Sequence, residues 1–262
     1  MRQPGIPAES ADPGPTPAVP PPPPDLHQAY QLLRGRFGHQ DWWPGDSPLE
    51  VCLGAILVQN TAWTGVERAI ANLRALTPLQ PLPLWDLPRP RLEEAIRPAG
   101  CFRVKADRLR AFLRVLVHEC DASLDRLFAG PRDQVRQRLL GIRGIGPETA
   151  DCLLLYAGGH PSFVIDAYAV RVFRRHGWFG LGGSADALPL AVREDLRRRC
   201  MELLALGSAE QEVDRWGDFH AQLVAVGKTH CRPRDPRCVT CPLQPLLPTP
   251  GIRPLPASPG NP

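Results

Sequence analysis

Lysine is almost absent from this chain. Lys105 and Lys228 are its only two, against 29 arginines, so chemistry that needs a side-chain amine is confined to two positions. The arginine excess suits contact with phosphate, although a GC-rich coding sequence gives the same bias. No run of about 18 apolar residues occurs, which excludes a transmembrane helix. The N-terminus lacks a basic-then-apolar leader pattern, and the expectation is a cytoplasmic protein with no membrane partner. Alternating apolar and polar residues are also lacking, so strands are not expected. Eight cysteines in such a setting point to free thiols or metal ligands rather than disulfides. The net charge of +4 is too mild to name a partner.

What is present is helical periodicity broken by proline and glycine. Helices are predicted near residues 26–36, 48–58, 63–76, 91–97, 104–118, 122–127, 132–140, 147–157, 166–175, 188–205 and 210–226, an all-α chain. Residues 1–25, with an unbroken run from Pro20 to Pro24, and residues 246–262 read as disordered or polyproline-like tails.

The segment Leu140 to Asp166 is the most informative. It runs Leu-Gly-Ile-Arg-Gly-Ile-Gly-Pro-Glu-Thr-Ala-Asp, then an apolar stretch, then Phe-Val-Ile-Asp at 163–166. Gly144 and Gly146 permit backbone angles closed to other residues. Pro147 suits the first position of the following helix. The free N–H groups and positive dipole end at that helix start form an anion site, with phosphate the expected guest. Arg143 lies within the turn. A tight helix–helix turn needs the same glycines for steric reasons alone.

This region resembles the helix-hairpin-helix DNA glycosylases of the endonuclease III superfamily. The resemblance covers roughly residues 28–245. It includes Gly54-Ala55-Ile56-Leu57-Val58-Gln59-Asn60-Thr61, Gly100-Cys101-Phe102-Arg103-Val104-Lys105-Ala106, and the stretch from His220 to Cys231. It implies a two-lobed helical fold: a six-helix lobe over 48–159 with the hairpin, and a discontinuous lobe from 26–47 and 160–245. The active-site cleft would lie between them.

The resemblance makes Asp166 the catalytic carboxylate, able to stabilise positive charge on the sugar and to orient or deprotonate water. The same residue stands where an N-cap is needed, and the two roles are compatible. Bifunctional relatives carry a Schiff-base lysine after the hairpin; here that position is Glu148. A monofunctional enzyme that leaves an abasic site is therefore expected, with Lys105 a conceivable stand-in amine. Glu148 also suits the first turn of a helix electrostatically. Gln59 matches the residue that fills the gap when a base leaves the stack, though a helix-end glutamine looks no different.

Trp42 and Trp43 form either a packed seam or a stacking wall for an extruded base; Trp63 is a further stacking candidate, although its apolar helix favours core packing. Indole faces attract cations by roughly 0.5–2 kcal/mol, which suits a base alkylated on a ring nitrogen. Trp-Trp-Pro, Gln-Asn-Thr-Ala-Trp and Gly-Pro-Glu-Thr-Ala-Asp together are similar to the branch that includes 3-methyladenine DNA glycosylases. Oxidised or mismatched pyrimidines are the alternative substrates, and a non-catalytic damaged-DNA binder is the alternative class. Double-stranded DNA with a damaged base is the expected partner, bound by a monomer, with Arg143, Gly144, Gly146, Lys105, Lys228, Arg232 and Arg234 as DNA contacts.

Cys231, Cys238 and Cys241 are spaced C-x6-C-x2-C, which suggests metal ligation. The resemblance implies a [4Fe-4S] cluster with a fourth cysteine after five intervening residues. That position is Leu247, so a cluster, a zinc ion (with His230 or Cys200) and no metal all stay open. Cys52, Cys101, Cys120 and Cys152 read as buried small apolar positions. His220 reads as structural.

Overall fold

In the computed structural model, residues 23–181 and 188–248 are described; most of both expected tails lies outside them. Among the described residues there are twelve α-helices and no strand. The helices are α1 (Leu26–Phe37), α2 (Pro48–Leu57), α3 (Trp63–Leu76), α4 (Pro81–Asp86), α5 (Arg89–Ala95), α6 (Phe102–His118), α7 (Leu124–Phe128), α8 (Arg132–Leu140), α9 (Pro147–Cys152), α10 (Ala167–Arg175), α11 (Leu190–Leu203) and α12 (Ala209–Thr229). Local chemistry sets several starts. Asp25, Ser47, Ser123, Asp166 and Ser208 each accept a hydrogen bond from a first-turn N–H, satisfying a donor that the helix itself leaves free.

One helix escaped prediction. α4 carries prolines at 81 and 83, which read as breaks. Both fall in the first turn, where a missing N–H costs nothing, and the fully buried Leu84 anchors the segment. α9 runs on into a single π turn, Leu153–Ala157.

Two helices organise the packing. α2 is buried along almost its whole length and packs against α3, α6, α9 and the π turn. α12 packs against α1, α10 and the same π turn. Buried Asp218 on α12 accepts from Tyr30 Oη at 2.9 Å and from the Gln40 N–H at 2.8 Å. It thus ties α1, and the loop that carries Trp42 and Trp43, to the C-terminal helix.

The hairpin is braced from behind by a buried ionic group. Arg136 on α8 donates to both oxygens of Asp151 on α9, at 2.8 and 3.0 Å, and to Glu194 on α11 at 2.7 Å. Ser162 Oγ donates to Asp151 at 2.6 Å. The Arg136 and Asp151 side chains are 6% and 4% exposed, so removing one partner strands a charge away from water. Asp151→Ala is expected to cost about 3–5 kcal/mol, read from urea unfolding; an unchanged midpoint would contradict the bracing role.

Candidate active site

The site starts at the N-cap of α10. Asp166 caps that helix: its Oδ1 accepts from the Ala169 N–H at 2.7 Å. The cap spends one oxygen. The other, Oδ2, lies 3.5 Å from His220 Nε2 on the wall of a cavity of ≈ 450 Å³. Trp42, Trp43, Trp63, Glu148, Asp166 and Lys228 line that cavity, with His220, Cys152 and Tyr168. Residues separated by more than a hundred positions are thereby brought to one place.

Aromatic packing builds one wall. Trp43 lies 5.6 Å from Trp42, 5.4 Å from Trp63 and 5.4 Å from Tyr156, centroid to centroid. Gly54 on α2 makes room for them, since a Cβ there would sit 3.3 Å from both the Trp43 and the Trp63 rings. The indole N–H groups of Trp42 and Trp43 have no partner among the described residues. Lys228 Nζ stands over the Trp42 ring at 5.9 Å, so that indole face already accommodates a cation.

The lining also carries charge. Glu148 and Asp166 face one amine, Lys228, along the lining. Desolvation at the cavity wall, reinforced by the Asp166 charge, raises the half-exposed Glu148 carboxyl above the ordinary range. Arg193 on α11 opposes that shift, reaching Glu148 at 3.4 Å and the Ile165 carbonyl at 3.2 Å.

Gln59 lies outside the cavity, at the hairpin. It donates to the Gly144 carbonyl at 3.2 Å and to Thr149 Oγ1 at 2.8 Å, and accepts from Arg108. Gly144 has φ +89 and its Cα is covered by the Arg108 side chain, leaving no space for a Cβ. Arg143 is exposed in the turn.

Several sequence-based expectations need correction. Gly146, at φ −90 with open space beside it, uses no conformation reserved to glycine; only Gly144 does. Lys105 is 2% exposed and donates to the Ala99 carbonyl at 2.6 Å. Its amine closes a helix end inside the protein, so it reaches neither DNA nor the cavity. Cys101 is exposed rather than buried, because it sits in the left-handed turn before α6. Trp63 packs against the core, as its apolar helix suggested, and also lines the cavity. Lys228, grouped by sequence with the loop arginines, is exposed and also lines the cavity. Arg234 is exposed without a carboxylate partner among the described residues, whereas Arg232 pairs with Asp235 at 2.9 Å.

The cysteine loop presents Cys231, Cys238 and Cys241 to a small recess that Arg175, His230 and Leu247 also line. Arg175 Nη1 donates to Cys231 Sγ at 2.9 Å. Burial raises the Cys231 thiol and pushes Cys241 up to about 11. With Leu247 at the fourth position, the donor set does not fit a four-thiolate cluster. Among the described residues no group of three or more His, Cys, Asp or Glu side chains is disposed around one metal ion, and Cys200 is buried within α11.

The all-α architecture, the hairpin and a carboxylate-bearing aromatic cavity define a helix-hairpin-helix repair-glycosylase type of protein. Residues 53–200 match the HhH-GPD superfamily base excision DNA repair protein family. "Putative DNA repair glycosylase MJ1434" of Methanocaldococcus jannaschii is 34% identical over 221 residues, covering 84% of this chain and 94% of that protein. A non-covalent endonuclease III–DNA complex superposes with TM-score 0.66 at 22% identity, over 85% of this chain and 93% of the other. H. pylori 3-methyladenine DNA glycosylase (MagIII) bound to 1,N6-ethenoadenine gives 0.61 at 21%, over 78% and 95%. The fold is endonuclease III-like, and the chain belongs to the HhH-GPD superfamily of base excision DNA repair glycosylases. No helix among the described residues is long and apolar enough to cross a membrane.

If Leu247 decides the metal content, protein expressed with ample iron and purified without air holds less than one four-iron cluster per chain, and Leu247→Cys raises both iron content and visible absorbance. Full cluster occupancy in the natural chain would overturn this reading.

Proposed function

We propose that this glycosylase is monofunctional and uses water, guided by Asp166, to release a ring-alkylated base such as 3-methyladenine, leaving an abasic site in double-stranded DNA. The observation that carries the reading is the Asp166 oxygen left over from the helix cap, which faces an aromatic cavity large enough for a purine. As the sugar becomes electron-poor in the transition state, a fixed carboxylate next to it lowers the barrier.

The wall favours a positively charged lesion. Indole faces attract cations, and two carboxyl groups against one amine leave the lining with an excess of acid. An alkylated purine nucleotide already carries positive charge, so its glycosidic bond breaks without strong acid assistance. The same features give little to a neutral pyrimidine.

The DNA contacts of this reading are the hairpin turn at Arg143, Gly144 and Gly146 and the exposed arginines of the cysteine loop, above all Arg234. Gln59, poised on the hairpin, enters the stack when the base leaves it. The chain acts as a monomer, its cleft lying between a 48–159 lobe and one assembled from 26–47 and 160–245.

Release of 3-methyladenine and of thymine glycol from defined duplexes tests the substrate. The expected result is release of the alkylated base, lowered about 100- to 10,000-fold in Asp166→Asn. Thymine glycol as sole product contradicts the alkylation reading; no release from any lesion favours a damage binder.

Strand cleavage is a separate question. Position 148 offers no amine and Lys105 is sequestered, so borohydride is expected to trap no covalent complex with the natural chain, whereas Glu148→Lys places an amine beside Asp166 and is expected to give one. Trapping by the natural chain that disappears in Lys228→Met would show a lyase using the cavity's own lysine.

A further inference from the structure

His220 reads from sequence as a structural residue, yet its environment is that of a working group. The residue is 4% exposed, lines the cavity, and has Nε2 without a hydrogen-bond partner among the described residues. Its other nitrogen, Nδ1, lies 2.6 Å from Tyr156 Oη. Assigning that hydroxyl's single hydrogen to the Gly217 carbonyl, 3.0 Å away, makes Nδ1–H the donor to Oη. In the neutral imidazole this leaves a bare lone pair on Nε2. The lone pair points toward Asp166 Oδ2, 3.5 Å away, beyond the usual hydrogen-bond distance. Two acceptors thus converge on the cavity.

We propose that His220 and Asp166 together hold the attacking water, and that Tyr156 is a positioning residue that fixes the imidazole tautomer. This rests on the glycosylase reading above. A water satisfies both acceptors by donating one hydrogen to Oδ2 and one to Nε2, and its own lone pair then faces the cavity. Attack forms the C1′–O bond as the C1′–N bond breaks. The bonding pair leaves with the base, and a cationic base departs neutral. The water's proton passes to Asp166 Oδ2. No oxidant, reductant or further reactant is needed.

The fold invests in this arrangement. Tyr156 sits in the π turn after α9, and its ring lies against Gly217, where a Cβ would come within 3.2 Å of it. Asp166 cannot swing away, because Oδ1 is committed to the α10 cap. His220, Asp166 and Tyr156 belong to three different elements, so their geometry is set by packing.

The test is single-turnover base release on a lesion that the natural chain processes, for His220→Phe, Tyr156→Phe and the double variant, alongside affinity for an abasic-site duplex and thermal midpoints. His220→Phe is expected to slow release about 10- to 100-fold at unchanged affinity. His220→Gln, whose amide oxygen can accept from water, is expected to recover part of that rate. Tyr156→Phe is expected to slow release about 3- to 10-fold in the natural background and not at all in the His220→Phe background, since it acts through the imidazole. Natural-rate release by His220→Phe, or losses that multiply in the double variant, would overturn the proposal. If His220→Phe does not fold, Tyr156→Phe decides, and a natural rate there overturns it. Full activity of Asp166→Asn removes Asp166 from the reaction, and release of no lesion by the natural chain defeats the glycosylase reading itself; either takes the water site with it.

Discussion

Asp166 holds two commitments at once. One carboxylate oxygen closes the first turn of α10, and the other is left facing the cavity. A capping bond of this kind is worth about 1 kcal/mol to the helix, a modest sum, but it removes the side chain's rotational freedom. The free oxygen is therefore held in place before any substrate arrives. Preorganisation of this sort is what lets a single carboxylate stabilise developing positive charge without a reorganisation cost during reaction. The electrostatics of Glu148, the lone pair of His220 and the placement of the tryptophans matter because this oxygen is fixed.

The aromatic wall depends on small and polar residues that have no chemistry of their own. Gly54 admits two indoles against α2. Asp218 on α12 draws in the loop before Trp42 through the Gln40 N–H, and Gln222 on the same helix donates to the Gly38 carbonyl at 2.5 Å. The long helix that carries His220 and Lys228 into the cavity therefore also fastens the loop that forms the opposite wall. The hairpin is secured independently, by Arg136, Asp151 and Glu194 behind it and by Gln59 and Arg108 in front.

Much of this was legible from the chain alone, and the exceptions have physical reasons. The helices followed apolar spacing, with capping residues adding a start signal at α1, α2, α7, α10 and α12. α4 was hidden because its prolines occupy the one turn that tolerates them. The hairpin and Asp166 were visible because turn glycines and a carboxylate at fixed spacing form a compact pattern. That His220 and Lys228 line the cavity was not visible. Each depends on which face of a helix meets another element scores of residues away, and periodicity does not encode that. Lys105 failed as a DNA contact for the same reason: a lysine in a basic helix gives no sign that its amine caps a buried carbonyl. The cysteine loop was partly legible, since Leu247 announced the missing ligand, whereas the Arg175 contact with Cys231 needed the fold.

A crystal structure of the chain bound to duplex DNA containing a cationic sugar mimic opposite an intact strand would test the central claim most directly. The predicted result is an extruded nucleotide between the indoles, with Asp166 Oδ2 nearest the anomeric position and Oδ1 still on the Ala169 N–H. A mimic lodged elsewhere, or a carboxylate that turns away from it to keep only its helix-capping bond, would contradict the account.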